Sequence, residues 1–205
     1  MSKTILIGLP SGSGQVPLPM VESLLKLHKP LPCAFTSMER QRIDKVRSYF
    51  AVQTVKSNFD YLFMVDDDNP IPEDTLEKFL EDDKDVVVAP ILSRNPNMKT
   101  GKYDLCAMYG EEVSIGDKTL RMYKPIEKFK EEGYLHKVDI GGTGAMLIKR
   151  HVLEKMIEKY GEYVFEFGDI TINGQRRTMS EDAEFCERVV DLGFEIWLDD
   201  RVRPI

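Results

Sequence analysis

The chain has 205 residues, of which 42% are hydrophobic and 31% are charged, and its formal net charge is −7. This length is typical of one domain, and the hydrophobic fraction suffices for a sizeable core. An acidic chain without a dense basic stripe does not favour nucleic-acid binding, and it repels phosphate groups unless a cation intervenes. The hydrophobic runs are far shorter than the roughly 20 residues that cross a bilayer, and the start MSKTILIGLPSGSG does not resemble a signal peptide. Three widely spaced cysteines favour reduced thiols, so we expect a cytoplasmic protein with no transmembrane segment.

The first half of the chain alternates between hydrophobic runs and segments with helical spacing. Prolines near the start of two of the helical segments cost little, because the first N–H groups of a helix have no partner within it. This alternation predicts a right-handed, mostly parallel α/β sheet. The predicted strands are residues 4–9, 33–36, 59–65 and 85–90, and the predicted helices are residues 17–27, 41–55 and 73–80.

The second half contains more strands and more turn signals. Asn173-Gly174 predicts a two-residue hairpin turn, Ser180 predicts a helix N-cap, and Gly193 predicts the end of that helix. The predicted fold is therefore one α/β domain over residues 1–205, with a mixed sheet that is parallel in its N-terminal half and helices on both faces. The predicted strands are residues 105–109, 119–124, 134–139, 145–149, 170–172, 175–178 and 194–198, and the predicted helices are residues 151–160 and 180–192.

Three aspartates, Asp66, Asp67 and Asp68, directly follow the hydrophobic strand FDYLFMV. Aspartate and asparagine before a proline are turn formers, so a solvated turn is one interpretation. A metal site is favoured because a strand that is hydrophobic throughout is central, and its carboxyl end opens onto the binding crevice of such a sheet. Adjacent carboxylates also repel one another, and alternation sends Asp66 and Asp68 to one side if the chain stays extended. Paired hard oxygens suit Mn²⁺ or Mg²⁺ beside substrate phosphates.

The sequence around these residues also resembles that of a known protein family. The acid run stands in the string LFMVDDDNPIPEDTLEKFL, which resembles the DXD segment of GT-A glycosyltransferases, particularly the family 2-like branch. Two more segments match the family in the same order, VDIGGTGAMLIKRHVLEKM and SEDAEFCERVVDLGFEIWLDDRVRP. The resemblance covers most of the chain outside residues 99–132. It implies a GT-A fold, with a nucleotide-binding half at residues 1–98 and an acceptor and catalytic half at residues 99–205.

The resemblance also implies where the nucleotide and the metal lie. Asp66 and Asp68 match the residues at the metal and the diphosphate, with Asp68 favoured as the direct ligand, and Asp67 matches a position that faces the ribose. Pro10 and Ser11, at the end of the first strand, match the segment that lies against the nucleotide base. The metal implied is Mn²⁺ or Mg²⁺, and the donor implied is a UDP- or GDP-sugar.

Two further positions have both a structural and a functional interpretation. Arg47 aligns partly with an arginine of the family near the nucleotide, but it also suits a solvated position on a helix. Glu181 and Asp182 are favourable in the first turn of a helix because of the helix dipole. In the family an acid pair at this point supplies the catalytic base, which implies Asp182 as base and Glu181 as a helper to the acceptor.

The glycine-rich run at Gly142, Thr143 and Gly144 lacks the lysine of a P-loop and the spacing of a dinucleotide fingerprint. We interpret it as a tight turn where backbone passes close to the donor sugar or the acceptor, as the family's GTG segment does. The three histidines lack metal-ligand spacing and are expected at the surface. The family usually carries another histidine ligand after a segment like RVRP, and its absence before Ile205 leaves open a longer polypeptide, another third ligand or a weakly held metal.

The predicted function is glycosyl transfer from a nucleotide-diphosphate sugar to a hydroxyl of a glycan or another acceptor, with inversion at the sugar carbon. Residues 95–119 are expected to form a mobile lid or acceptor surface. One alternative is a non-catalytic sugar-nucleotide or glycan binding module of the same fold. An Asp-nucleophile phosphatase is disfavoured by the residues after Asp68, and a nucleotidyltransferase is disfavoured because PSGSGQVP contains no basic residue.

Overall fold

A seven-stranded mixed sheet forms the centre of the computed structural model, which describes residues 2–98, 100–115, 118–130, 132–172 and 175–204. The strands lie side by side in the order β2 (Cys33–Glu39), β1 (Ile5–Ser11), β3 (Tyr61–Val65), β9 (Ala145–Lys149), β4 (Val86–Val88), β12 (Ile196–Asp199) and β7 (Leu135–Val138). β1 pairs in parallel with β2 and β3, and β4 pairs in parallel with β12. β9 is antiparallel to both β3 and β4, and β7 is antiparallel to β12. The predicted mixed sheet is confirmed, but a strand from the second half separates two strands of the first.

Two smaller sheets flank the central one. The first joins β5 (Ala107–Ile115), β6 (Lys118–Pro125) and β8 (Ile140–Gly141), all antiparallel. The second is the predicted hairpin of β10 (Gly168–Ile172) and β11 (Gln175–Met179), in which Ile172 pairs with Gln175. The two-residue turn predicted at Asn173-Gly174 lies outside the described residues.

Helices cover both faces of the central sheet, as predicted. On one face lie α1 (Leu18–Lys26) and α3 (Thr75–Asp82), and on the other lie α2 (Ile43–Lys56), α4 (Arg150–Tyr160) and α5 (Glu181–Asp191). Side chains alternate between the faces along each strand, so the two faces bury separate hydrophobic clusters. None of the helices in the described part of the chain is long and hydrophobic enough to span a membrane.

Most of the predicted helix and strand boundaries agree with the structure to within two or three residues, but β5 ends at Ile115 instead of residue 109, and β8 was not predicted. The Ser180 hydroxyl accepts a hydrogen bond from the Ala183 N–H at 3.4 Å at the start of α5, and Gly193 after its end has a φ of 84°. One expectation about side chains is wrong: His136 is 2% exposed and stacks on Phe129 with ring centroids 3.7 Å apart. The three cysteines are free thiols, and Cys186 is buried.

A buried acid pair and an arginine tie the end of β12 to α3. The side chains of Asp82 and Asp199 are fully buried, and the Arg201 Nη2 donates to Asp82 Oδ1 at 3.0 Å and to Asp199 Oδ2 at 2.8 Å. The guanidinium also lies 3.8 Å from the centre of the Tyr134 ring. Burial raises the pKa of Asp82 to about 7, and the nearby carboxylate of Asp199 adds to this shift.

This pKa shift makes the stability of the fold depend on pH. Between the ordinary value of 3.8 and the folded value of about 7, the folded state binds more protons at Asp82 than the unfolded state does. The free energy of unfolding therefore falls as the pH rises through this window. Asp82→Asn replaces the carboxyl group by an amide that does not ionise, so its stability should not fall in this window. We therefore expect the free energy of unfolding of the variant, relative to that of the wild type, to rise by more than about 1 kcal/mol from pH 5 to pH 8 in urea unfolding.

Asp83→Asn is the matched control for this experiment. The pKa of Asp83 is lowered, first by its hydrogen bond from Lys149, so its ionised form is the favoured one in the folded state. The control should show no gain at pH 8. Equal gains in both variants would contradict the assignment of the dependence to Asp82.

Candidate functional site

The acid run lies at the carboxyl end of β3, where ligands bind in open α/β sheets. Strand β3 ends at Val65, and the chain turns at Asp67 and Asp68. The Asp66 N–H donates to the Gly144 carbonyl at 3.1 Å, which brings the glycine run before β9 beside the acids. Because the chain is not extended over these residues, the predicted alternation of Asp66 and Asp68 to one side does not apply.

A buried arginine joins the acid run to the first turn of α5. Arg47 of α2 is 4% exposed, its Nη2 donates to Asp66 Oδ1 at 2.7 Å, and its Nη1 donates to Glu181 Oε1. Glu181 is buried and Asp66 is partly buried. The interpretation of Arg47 as a solvated residue is therefore wrong. We call Arg47, Asp66 and Glu181 the Arg47 ion cluster.

The charges of the Arg47 ion cluster depend on one another. Burial alone would lower the pKa of Arg47, but Asp66, Asp182 and Glu181 outweigh it and raise the pKa. Burial raises the pKa of Glu181, Arg47 opposes that shift, and Asp182 adds to it. Removal of the guanidinium would leave Asp66 and Glu181 without their cationic partner, and unpaired buried charge is costly.

Asp182, next to Glu181 in the first turn of α5, is a carboxylate that remains open to a ligand. It is partly buried, and within the described part of the chain no group donates a hydrogen bond to it. It lies within electrostatic range of Arg47 and of two thiols, those of Cys106 and Cys186. Burial raises the pKa of both thiols, and the Asp182 carboxylate raises each further. Both are therefore neutral at physiological pH and do not compete with Asp182 as bases.

Asp68 is paired with an arginine that the sequence analysis did not single out. The Arg94 Nη2 lies 2.6 Å from Asp68 Oδ2, and the Asn69 Nδ2 donates to Asp68 Oδ1 at 2.8 Å. Burial raises the pKa of Asp68, Arg94 lowers it, and the neighbouring aspartates raise it. No local sequence signal marks Arg94, because its approach to Asp68 depends on how the chain between β4 and β5 folds back on itself.

The second part of the predicted lid, from Ala107, is strand β5.

The glycine run packs against the acid run. A Cβ on Gly144 would lie 3.0 Å from Asn69 Nδ2, and a Cβ on Gly142 would lie 3.3 Å from Cys106 Cβ. Thr143 between them is 1% exposed, and its Oγ1 has no hydrogen-bond partner among the residues described. The glycines therefore allow a close approach to the protein's own atoms, and the predicted approach to a donor sugar or acceptor stays a prediction.

Pro10 and Ser11 are buried at the end of β1. The Ser11 Oγ donates to the Gln15 carbonyl at 3.3 Å and accepts from the Gly14 N–H at 3.2 Å, which closes the loop after β1. Arg40 reaches the same loop from the end of β2: its N–H donates to the Ser11 carbonyl at 3.1 Å, and its Nε would lie 3.2 Å from a Cβ on Gly14. The Glu39 carboxylate lies nearer still to the same Cβ, so an acid and a base from the end of β2 both lie beside this loop.

The donors at the acid run suit a hard divalent cation, which prefers carboxylate oxygens. Two guanidinium groups already lie against Asp66 and Asp68, so positive charge is favourable here, and Asp66 Oδ2 and both Asp67 oxygens accept no hydrogen bond from the described residues. No group of three or more His, Cys, Asp and Glu side chains in the described ranges is arranged to hold a metal ion. His136 on β7 lies four strand positions from β3, roughly 19 Å away, and does not complete the site.

One cavity of the described residues, about 730 Å³, is bordered by Lys3, Leu31 and Tyr61 at the amino end of β1 and β3. This is the edge of the sheet opposite the acid run, and binding crevices of α/β sheets lie at the carboxyl edge. We therefore assign the candidate site to the acid run, the Arg47 ion cluster and Asp182.

Comparison with known proteins supports the fold and leaves the family open. No protein-family model matches the sequence, including any model of the family 2-like branch, and no curated protein matches it. The structure of A197 from STIV is similar over 98% of this chain and 83% of that chain, with a TM-score of 0.57 and 18% identity, which shows a shared fold. An apo UDP-glucose pyrophosphorylase matches over 100% of this chain and 92% of its own, with a TM-score of 0.45 and 6% identity. A 4-diphosphocytidyl-2C-methyl-D-erythritol synthase from Anaerococcus prevotii matches over 96% and 87%, with a TM-score of 0.46 and 7% identity.

Replacement of Arg47 should destabilise the protein because it leaves buried acids unpaired. We expect Arg47→Met to lower the free energy of unfolding by about 3 kcal/mol or more. The double variant Arg47→Met/Glu181→Gln should recover part of this loss, since one unpaired charge is removed. Urea unfolding at pH 7 measures both changes.

Lys56→Met is the matched control, because Lys56 ends the same helix and its ion pair with Glu162 is exposed at both partners. Its loss should stay within about 1 kcal/mol, as for other exposed ion pairs. A loss for Arg47→Met no larger than that of the control would show that the Arg47 ion cluster does not stabilise the fold.

Proposed function

We propose that this chain is a divalent-cation-dependent glycosyltransferase that uses a nucleotide-diphosphate sugar as its donor. The observation that supports this proposal best is the juxtaposition of the acid run and Asp182 through Arg47, which donates to Asp66 and is electrostatically coupled to Asp182. The acid run suits a cation and a diphosphate, and the Asp182 carboxylate beside it is available to act as a base. The motif resemblance to GT-A enzymes agrees with this division of roles.

In this proposal the carboxylates of Asp66 and Asp68 hold Mn²⁺ or Mg²⁺. The bound cation would neutralise the negative charge that develops on the departing diphosphate. Arg47 holds Asp66 in place through Oδ1 and leaves Oδ2 available. The acidic chain, with a net charge of −7, would otherwise repel the diphosphate.

Asp182 is proposed as the general base. Its carboxylate takes the proton of the acceptor hydroxyl as that oxygen forms a bond to the sugar carbon and the bond to the diphosphate oxygen breaks. A single displacement of this kind inverts the configuration at the sugar carbon. Glu181 does not fit its expected role as a helper to the acceptor, because it is buried and bound to Arg47. We propose instead that Glu181 anchors the first turn of α5 and thereby positions Asp182.

Nucleotidyl transfer to a sugar phosphate is a second candidate. It is favoured by Arg40, whose guanidinium lies beside the loop after β1. That reaction would release pyrophosphate from a nucleoside triphosphate, whereas glycosyl transfer releases a nucleoside diphosphate from a nucleotide sugar. Phosphate analysis of the products distinguishes the two reactions, and binding without either product would indicate the non-catalytic module.

Asp68→Ala should weaken metal-dependent nucleotide binding by at least about tenfold, which corresponds to about 1.4 kcal/mol, because it removes a proposed ligand. Calorimetry with UDP, GDP and CDP, each with Mn²⁺, Mg²⁺ or EDTA, measures this loss and identifies the base. Asp74→Ala is the control, since Asp74 is paired with Lys78 before α3. Unchanged binding by Asp68→Ala would remove Asp68 from the proposed metal site.

Asp182→Asn should keep nucleotide binding and lower turnover by about 10²- to 10⁴-fold, the usual contribution of a general base. Asp191→Asn, at the other end of α5, is the control and should retain turnover. The rate of sugar transfer, measured at saturating donor, reports the difference. Full turnover by Asp182→Asn would show that another group takes the proton.

A further inference from the structure

Arg94 links the acid run to a protruding segment of the chain. Its Nη2 lies 2.6 Å from Asp68 Oδ2, and the Arg94 side chain is 78% exposed while that of Asp68 is 36% exposed. Exposed ion pairs of this kind contribute about 0–1 kcal/mol. The pair is formed in the free protein, but another cation can replace Arg94 at small cost.

The segment that carries Arg94, which we call the finger, comprises residues 92–98 and 100–105. It is closed by its own hydrogen bonds: the Ser93 N–H donates to the Asp104 carbonyl at 2.8 Å, and the Asn97 N–H donates to the Lys102 carbonyl at 2.7 Å. At its base Leu92 and Leu105 form an isolated bridge. Because these bonds are internal, the finger keeps its shape if the Arg94–Asp68 contact breaks.

The electrostatics of Asp68 explain why a cation is held there. Asp66, Asp67 and Asp68 are consecutive carboxylates, and the guanidinium groups of Arg47 and Arg94 lie against Asp66 and Asp68. Adjacent carboxylates repel one another, so Asp68 favours a positive partner. A divalent cation carries more positive charge than one guanidinium group. It is also coordinated by several oxygens at once, whereas a guanidinium group typically binds two oxygens of one partner.

We propose that Arg94 is the resident counter-ion of Asp68, that a divalent cation displaces it, and that the released guanidinium then binds the diphosphate of the nucleotide. This inference rests on the proposed function and deepens it. Arginine suits the second role because its planar fork binds phosphate oxygens in a bidentate manner. Arg94 is thus a positioning residue that opposes the cation in the free protein and supports the nucleotide in the complex.

The test measures Mn²⁺ alone and Mn²⁺ with nucleotide on the full chain. Free Mn²⁺ is followed by electron paramagnetic resonance during titration of the wild type, Arg94→Ala, Arg94→Lys and Asp68→Ala. We expect Arg94→Ala to bind Mn²⁺ alone about threefold to fivefold more tightly, because its competitor is gone. The same variant should bind the nucleotide with Mn²⁺ more weakly than the wild type does.

Two comparisons separate this role from a general charge effect. Arg94→Lys keeps the positive charge, so its Mn²⁺ affinity should stay near that of the wild type, while its nucleotide affinity falls because the fork is lost. Arg42→Ala removes an exposed arginine paired with Asp44 and should change neither affinity. Nuclear magnetic resonance gives a readout that does not depend on activity: Mg²⁺ should shift the Nε–H resonance of Arg94 in the wild type and leave it unshifted in Asp68→Ala.

The outcomes distinguish this inference from the proposed function. Tighter Mn²⁺ binding by Arg94→Ala with weaker nucleotide binding supports the displacement of Arg94 by the cation. Equal Mn²⁺ affinity in the wild type and Arg94→Ala, with binding lost in Asp68→Ala, overturns this displacement and leaves the metal site in place. Failure of every protein to bind Mn²⁺, with and without nucleotide, overturns both.

Discussion

The guanidinium of Arg47 is the interaction on which the candidate site depends. It is buried, and it binds one carboxylate from the end of β3 and another from the start of α5. Hydrophobic contacts bring α2 and α5 to the face of the sheet lined by Leu62 and Met64 of β3, but they do not specify where the polar ends of these elements meet. The ion cluster does, because leaving a buried charge without its partner is strongly destabilising.

The same cluster gives different properties to neighbouring acids. Glu181 and Asp182 are adjacent in the first turn of α5, where helical geometry points their side chains in different directions. Glu181 is bound to Arg47, and Asp182 receives no hydrogen bond from the described residues. One acid therefore has a structural role and the other stays available for chemistry. The acid run shows a similar division, since Asp66 is held by a buried arginine and Asp68 by an exposed one.

Much of the fold could be predicted from the sequence because its signals are local. Hydrophobic periodicity, the cap at Ser180 and the Asn173-Gly174 turn each depend on a few adjacent residues. The position of β9 between β3 and β4 could not be predicted, because strand order depends on contacts between residues far apart in the chain. The burial of Arg47 was missed for the same reason: its helix gives no sign that two acids from distant segments converge on it. Arg40 and Arg94 likewise reach the site only through the folding of the chain around them.

The antiparallel strand β9 has a consequence for how the protein is made. It pairs with β3 on one side and β4 on the other, so the middle of the sheet stays open until residue 149 has been synthesised. Before then β3 and β4 each expose an unpaired hydrophobic edge, and such edges are prone to pair with other chains. The contacts that close the sheet span much of the sequence, which slows folding. A ribosome-bound chain of this protein therefore has a long interval in which its most hydrophobic strand is unprotected, and early chaperone binding is the physical remedy for that exposure.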